Sequence, residues 1–345
     1  MIGRRDFITF LGGAAAAWPL GAQAQQTSKL PTIGWLETVR TEFVASTAFN
    51  RGLAEAGYVV GRNVNLDYRT AGTDSDWLRM LAAEFVREQV AVIVAATGRS
   101  AHAAKAATQS IPIVFLVGGD PVEEGLVATL NRPGGNATGA ATLGVEIAAK
   151  RLELLHELVP NVESIAALVR SEGPDASDFS RAQSKGYQSA ALALGVRLLL
   201  VNAMTDSDIA GAFANAVQQH AGALLVGGET LFVAQMPQIL SLANRYALPT
   251  MFFHSNAVAA GGLASYGTDN SETFRQMGVY TGRILKGEKP SDLPVVQSTK
   301  FELAINLKTA KAIGLTVPPA LIARGHRVDK LQAHTESKSR GLVAF

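Results

Sequence analysis

A chain of 345 residues that is 48% hydrophobic and 17% charged carries enough apolar side chain for two or three globular domains, which sets aside an intrinsically disordered protein. Its formal charge of +2 comes without any basic run interleaved with aromatics, so no nucleic-acid partner is expected. Cysteine is absent, which excludes disulfides, thiolate metal sites and a cysteine nucleophile together.

Residues 1–24 read as an export signal. Arg4 and Arg5 precede an Ala/Gly-rich apolar stretch from Phe7 to Leu20, and Ala22-Gln23-Ala24 has the small-x-small form of a cleavage site. The paired arginines and weak hydrophobicity point to the twin-arginine route, while Gly3 and Thr9 depart from its usual pattern and leave the general secretory route open. The run is shorter than the ~20 residues of a spanning helix. The expected location is therefore periplasmic, after cleavage near Ala24.

From Pro31 onward, short β-rich runs alternate with amphipathic helices, the pattern of βαβ units in a parallel sheet. The spacing predicts strands over Thr32–Leu36, Val64–Tyr68, Val90–Ala95 and Pro112–Val117, with helices over Phe43–Ala56, Asp74–Glu88 and Ser100–Gln109. In the first helix Ala45, Phe49 and Leu53 share one face, and Gly57 is a plausible stop. The Gly/Asn-rich stretch Asn131–Gly139 is expected to cross to a second lobe.

That second lobe repeats the rhythm, with strands over Ser164–Val169, Val196–Val201, Ala223–Gly227 and Pro249–Phe253. Its helices are Asp178–Leu194, Ser207–Gln219 and Leu231–Tyr246. A proline opens the last strand of each set, at Pro112 and Pro249. Further crossings are expected at Gly261–Gly267, ahead of a helix over Ser271–Leu285, and at Asp292–Val295, ahead of a strand over Phe301–Asn306 and a helix over Lys308–Ile313. The fold class is α/β: two doubly wound parallel-sheet lobes joined by a multi-strand hinge. Residues 31–140 with 268–294 form lobe one, and 141–267 with 295–328 form lobe two. The polar stretch 329–345 is expected to be a disordered tail.

Ligands of open parallel sheets bind beyond the carboxyl ends of the strands. In lobe one those ends carry Glu37, Thr38, Thr97, Arg99, Ser100, Gly119, Asp120 and Pro121; in lobe two, Ser171, Glu229, His254, Tyr266 and Asp269. Arg99 has the fork that grips a carboxylate, or is an ordinary solvated arginine; Ser100 can cap the next helix. Asp120 can take a ligand amine or hydroxyl, or cap the turn before Val122. Trp35 and Tyr266 can stack on a planar ligand or pack the core. Catalytic signatures are missing: there is no G-x-S-x-G, no G-x-G-x-x-G after a strand, and no H-x-x-x-H among the six histidines. No enzyme activity, cofactor or metal is expected.

Gly52-Leu53-Ala54-Glu55-Ala56-Gly57-Tyr58, Ile111–Phe115, Gly119-Asp120-Pro121-Val122, Leu130–Gly139 and Ile305–Ala310 together resemble the ABC transporter substrate-binding proteins of the tryptophan/tyrosine type, over about Pro31 to Arg327. The resemblance implies a type I periplasmic-binding fold and a small-molecule ligand in the interlobe cleft. It also implies an ABC permease and its ATPase as partners of a monomer. It places ligand loops at Ala96–Ala101, Gly119–Pro121 and Tyr266–Asp269. Gly98-Arg99 stands where relatives have Pro-Ala, Gly119 where they have Thr, and Gly227-Gly228-Glu229 where they often have Pro-Thr-Asp. A ligand-presenting sensor, or an enzyme on the same frame, are the alternative readings.

Overall fold

The computed structural model describes residues 30–38, 44–72, 74–170 and 177–324. The export signal, Ser171 and the tail from 329 lie outside the described residues. The first sheet is built from β1 (Thr32–Glu37), β2 (Asn65–Thr70), β3 (Val92–Ala95), β4 (Ile113–Val117) and β5 (Ala137–Ala141). These alternate with α1 (Val44–Glu55), α2 (Ser75–Arg87) and α3 (Gly98–Ala107). Then follow α4 (Ala148–Leu158), β6 (Ser164–Val169), α5 (Asp178–Leu194), β7 (Arg197–Asn202), α6 (Asp208–Gln218) and β8 (Ala223–Val226). The second sheet continues with α7 (Thr230–Ala234), α8 (Met236–Arg245), β9 (Thr250–Phe252), α9 (Ser255–Ala259) and β10 (Ala264–Thr268). The last described elements are α10 (Asn270–Leu285), β11 (Val296–Gln297), β12 (Phe301–Ile305), α11 (Leu307–Ala312) and α12 (Pro319–Arg324).

The two sheets have the same winding. The first runs β2-β1-β3-β4-β5-β11, all parallel; the second runs β7-β6-β8-β9-β10-β12, parallel except for β12. In each, strand order reverses beside the first strand, at β1/β3 and at β6/β8, which are the switch points where a cleft opens at the strand ends. Central strands such as β3 and β6 are buried along their whole length, as helices on both faces require.

Local chemistry sets the element ends. Asp74 accepts from the Asp76 and Trp77 amides to start α2, and Ser177 accepts from the Ser180 amide to start α5. Gly57, at φ +89°, takes the left-handed turn after α1 that a side chain would resist. Phe49 and Leu53 of α1 are fully buried, and α1 lies against α10 so closely that a Cβ on Gly52 would fall 1.8 Å from the Arg275 carbonyl oxygen. A pair of glycines, Gly52 and Gly278, permits that backbone contact. Helix α10 thereby returns to the first sheet after the chain has built the second.

Four expectations change. Asn131–Gly139 is not a crossover: its last residues open β5, which pairs with β4 inside the first lobe. The strand Ala137-Thr138-Gly139-Ala140-Ala141 has little side chain because it is buried on both faces, and that smallness reads as a loop in sequence. Likewise Gly261–Gly267 is no crossing, since Ala264–Thr268 is β10, and β11 at Val296–Gln297 stays with the first sheet beyond position 295. Finally, the helix over Leu231–Tyr246 breaks at Gln235, where Pro237 in the first turn of α8 lacks an N–H to continue the α7 ladder. Helix α4, to which the periodicity reading assigns nothing, packs on α5 with Leu152 and Leu155 fully buried.

The chain therefore passes between sheets after β5, after β10 and after β11. The passages are tied together: Thr268 Oγ1 donates to the Thr142 carbonyl at 3.0 Å, and the Thr273 and Ser298 hydroxyls lie 3.0 Å apart. Three bonded passages bend together rather than swing separately.

Candidate functional site

The carboxyl ends of the two sheets face each other. Thr38, after β1, has its hydroxyl 3.4 Å from that of Thr97, after β3, and 3.2 Å from that of Thr230, which follows β8 in the other lobe. A row of three hydroxyls thus links the two switch points. Thr97 and Ser100 form a capping box at α3: the Thr97 side chain accepts from the Ser100 amide, and the Ser100 hydroxyl accepts from the Thr97 amide at 2.9 Å. Glu37 is fully buried and accepts from Trp35 Nε1 at 2.9 Å. Trp35 belongs to the core, edge-on to Phe49 and stacked with Tyr68 and Phe274.

Other lobe-one candidates are placed as follows. The Arg99 guanidinium hydrogen-bonds the Ser75 hydroxyl at the start of α2. Asp120 caps its turn, accepting from the Val122 amide at 2.7 Å, with Pro121 beside it. Gly119 is pressed by Glu124, whose Oε1 would lie 2.3 Å from an added Cβ.

Between the lobes stands a residue absent from the sequence candidates. Phe179, in the first turn of α5, lies against glycines of both lobes: a Cβ on Gly118 would approach its ring to 2.7 Å, one on Gly144 to 3.2 Å and one on Gly228 to 3.4 Å. These glycines make a flat seat for the ring. The sequence signal was available in Gly118-Gly119 and Gly227-Gly228, two glycine pairs that follow strands β4 and β8, one in each sheet.

Lobe two presents buried charge. Glu229 sits at the β6/β8 switch point, 7% exposed; its Oε1 accepts from the Arg170 amide at 3.4 Å, while Oε2 has no partner among the described residues. Burial pushes its carboxyl up to about 7, against the pull of backbone amides, the Ser180 hydroxyl and Arg151. Arg151, from α4, is 3% exposed and donates through Nε to the Tyr266 carbonyl at 2.8 Å. It also approaches the Tyr187 hydroxyl without reaching hydrogen-bond geometry, and burial raises that phenol. Tyr266 therefore contributes its backbone here, its ring stacking on Phe301.

His254 caps α9, its Nδ1 accepting from the Asn256 amide, and its Nε2 lies 3.1 Å from the Asn270 carboxamide nitrogen. Burial lowers its pKa, which Asp269 opposes and Arg151 reinforces, and so disfavours the charged ring. Asp269 caps α10 through the Ser271 amide. A surface hollow of about 330 Å³ beside Leu307, Val317 and Ile322 lies where β12 has run back to the opposite edge of the sheet, away from this cleft. Among the described residues no group of three His, Asp or Glu side chains is placed to hold a metal, and no helix is long and apolar enough to cross a membrane.

The model of the ABC transporter substrate binding protein family matches residues 43–329. The chain belongs to that family. Substrate-binding relatives share its whole two-lobed frame. A tyrosine-binding protein of Clostridioides difficile is 29% identical over 79% of this chain and 76% of its own. A Streptococcus pneumonia ABC domain solved in complex with L-Trp is 25% identical, with a TM-score of 0.77 over 87% of this chain and all of that one. A ligand-free, open substrate-binding protein from Clostridium difficile, 27% identical, gives 0.60 over 84% of this chain and 97% of that one. The fold of this family member is accordingly the type I periplasmic-binding fold.

Proposed function

We propose that this substrate-binding protein captures an amino acid between its lobes and delivers it to an ABC permease driven by a separate ATPase. The observation that carries the reading is the meeting of the two switch points, Thr38 and Thr97 from one sheet with Thr230 and Glu229 from the other. A ligand there touches both lobes, and only a ligand that does so favours the closed form over the open one. Closure also removes the ligand from water and strengthens its polar contacts. The higher TM-score against the L-Trp complex than against the open relative supports a closed arrangement here. The amino-acid class is supported by the tyrosine-binding and L-Trp-bound relatives.

In this reading the chain is exported through its leader, works in the periplasm as a monomer and turns over nothing. A thermal-shift screen of the twenty standard L-amino acids followed by calorimetry tests it: one or a few should raise the melting temperature and bind one to one. Deleting the gene should abolish uptake of the same compound. A screen in which none binds rejects the amino-acid class.

A further inference from the structure

Four buried side chains of lobe two are under-bonded around one loop. Arg151 leaves Nη1, Gln183 leaves Nε2, Tyr187 leaves its hydroxyl and Glu229 leaves Oε2 without a hydrogen-bond partner among the described residues. Gln183 and Tyr187 are fully buried and stand four apart on α5, hence on one face. Native cores leave only scattered polar atoms unpaired, so a group of four calls for a cause.

The four converge. Gln183 Oε1 accepts from the Gly228 amide at 3.1 Å, which turns its Nε2 toward the same loop. A Cβ on Gly227 would lie 2.1 Å from Glu229 Oε2 and 3.0 Å from Gln183 Oε1; one on Gly228 would lie 3.4 Å from the Phe179 ring and 3.7 Å from Gln183 Nε2. Arg151 interacts electrostatically with both Tyr187 and Glu229. Its Nε donates to a neutral carbonyl, and among the described residues no carboxylate lies within salt-bridge distance of it. The Phe179 ring forms the wall between this group and Gly118 of lobe one.

Three of the four atoms are donors, and one carries a charge that no carboxylate among the described residues pairs with at contact. The complement is an acceptor-rich anion whose planar oxygens match a guanidinium edge. We propose that Arg151, Gln183 and Tyr187 form the subsite for the ligand's carboxylate, with Glu229 Oε2 accepting from an N–H or O–H donor on the same ligand. The inference rests on the reading that the interlobe cleft takes an amino acid, and it moves the ligand's arginine from Arg99 to Arg151.

The test uses the full-length mature protein and, as probes, each L-amino acid that binds the wild type together with its primary amide. The amide should bind about 100-fold more weakly than the acid, and Arg151→Met should lose about 100-fold for the acid while treating the pair alike within a few-fold. Gln183→Met, which keeps the volume and removes the amide, should lose about tenfold and is the reporter if Arg151→Met does not fold. An acid and amide that bind equally, or a folded Arg151→Met or Gln183→Met with wild-type affinity, overturns the subsite: the unpaired atoms are then served by buried water. In that case the proposed function stands. If no amino acid binds the wild type, the ligand class and the subsite fall together.

Discussion

The two lobes share one winding but finish their strand ends differently. In lobe one the polar groups at the cleft are bonded among themselves: Trp35 to Glu37, Thr38 beside Thr97, Thr97 to Ser100 and Asp120 to its own turn. In lobe two Arg151, Gln183, Tyr187 and Glu229 are buried with polar atoms that have no partner among the described residues. Unpaired buried groups cost folding free energy, and such costs are tolerated where a ligand meets them. With the proposed subsite, the charged part of recognition falls to lobe two, while lobe one supplies Thr38, Thr97 and the glycine face on which Phe179 closes.

The largest expected effect tests the rigidity of lobe one. Gly52→Ala places a methyl group into the Arg275 carbonyl and should cost about 3 kcal/mol or more, read as a large drop in the thermal midpoint. An unchanged midpoint would show that α1 and α10 separate freely and that lobe one is not the rigid partner.

Glu229→Gln probes the opposite lobe. The Glu229 carboxyl is raised from the ordinary 4.5 to about 7 in the folded protein, with Arg151, Tyr187 and Arg170 around it. The folded state therefore holds a proton that the unfolded state has already released, and stability falls as pH rises from about 4.5 through 7. Relative to wild type, the variant should gain on the order of 3 kcal/mol at pH 8 and little at pH 4, while binding its amino acid more weakly. Denaturant titrations at both pH values measure the first; equal stability gains at the two would contradict the burial of an ionised carboxylate.

Gly118→Val sharpens the closure side. Its side chain would invade the seat of Phe179 and hold the lobes apart, so affinity should fall about tenfold while each lobe stays folded. Calorimetry paired with far-UV circular dichroism reads both, and retained affinity would take Phe179 out of the closing surface. Smallest of all, Arg275→Met removes the ion pairs with Glu55 and Glu272, which lie at the surface, and should change stability by no more than about 1 kcal/mol. A larger loss would mean that charge, not the Gly52–Gly278 contact, holds α10 to lobe one.

The sequence made the frame legible because the strands are apolar and the helices carry caps: Val92–Ala95 and Ile165–Val169 are apolar throughout, and Asp74, Thr97 and Ser177 announce the helices after them. Strand β5 was illegible because Ala137–Ala141, squeezed between covering helices, offers only small residues. The loops that face the cleft could be named, but not which of their side chains turn inward. Arg99 has the right chemistry at the right strand end, and in the structure its guanidinium bonds the Ser75 hydroxyl. Arg151 is not flagged, because the periodicity reading assigns no element to its segment and the carbonyl that holds it, at Tyr266, is 115 residues away. Gln183 and Tyr187 did carry a signal: two polar groups on the stripe of α5 that continues into Ala190 and Ala191, where apolar side chains would be expected.

The most direct measurement of capture between the lobes is amide hydrogen exchange with and without the L-amino acid that most raises the melting temperature. The account predicts simultaneous protection of 37–38, 97–100 and 118–120 in lobe one and of 227–230 in lobe two, with the outer faces unchanged. Protection confined to one lobe, or appearing only around Leu307 and Ile322, would contradict it.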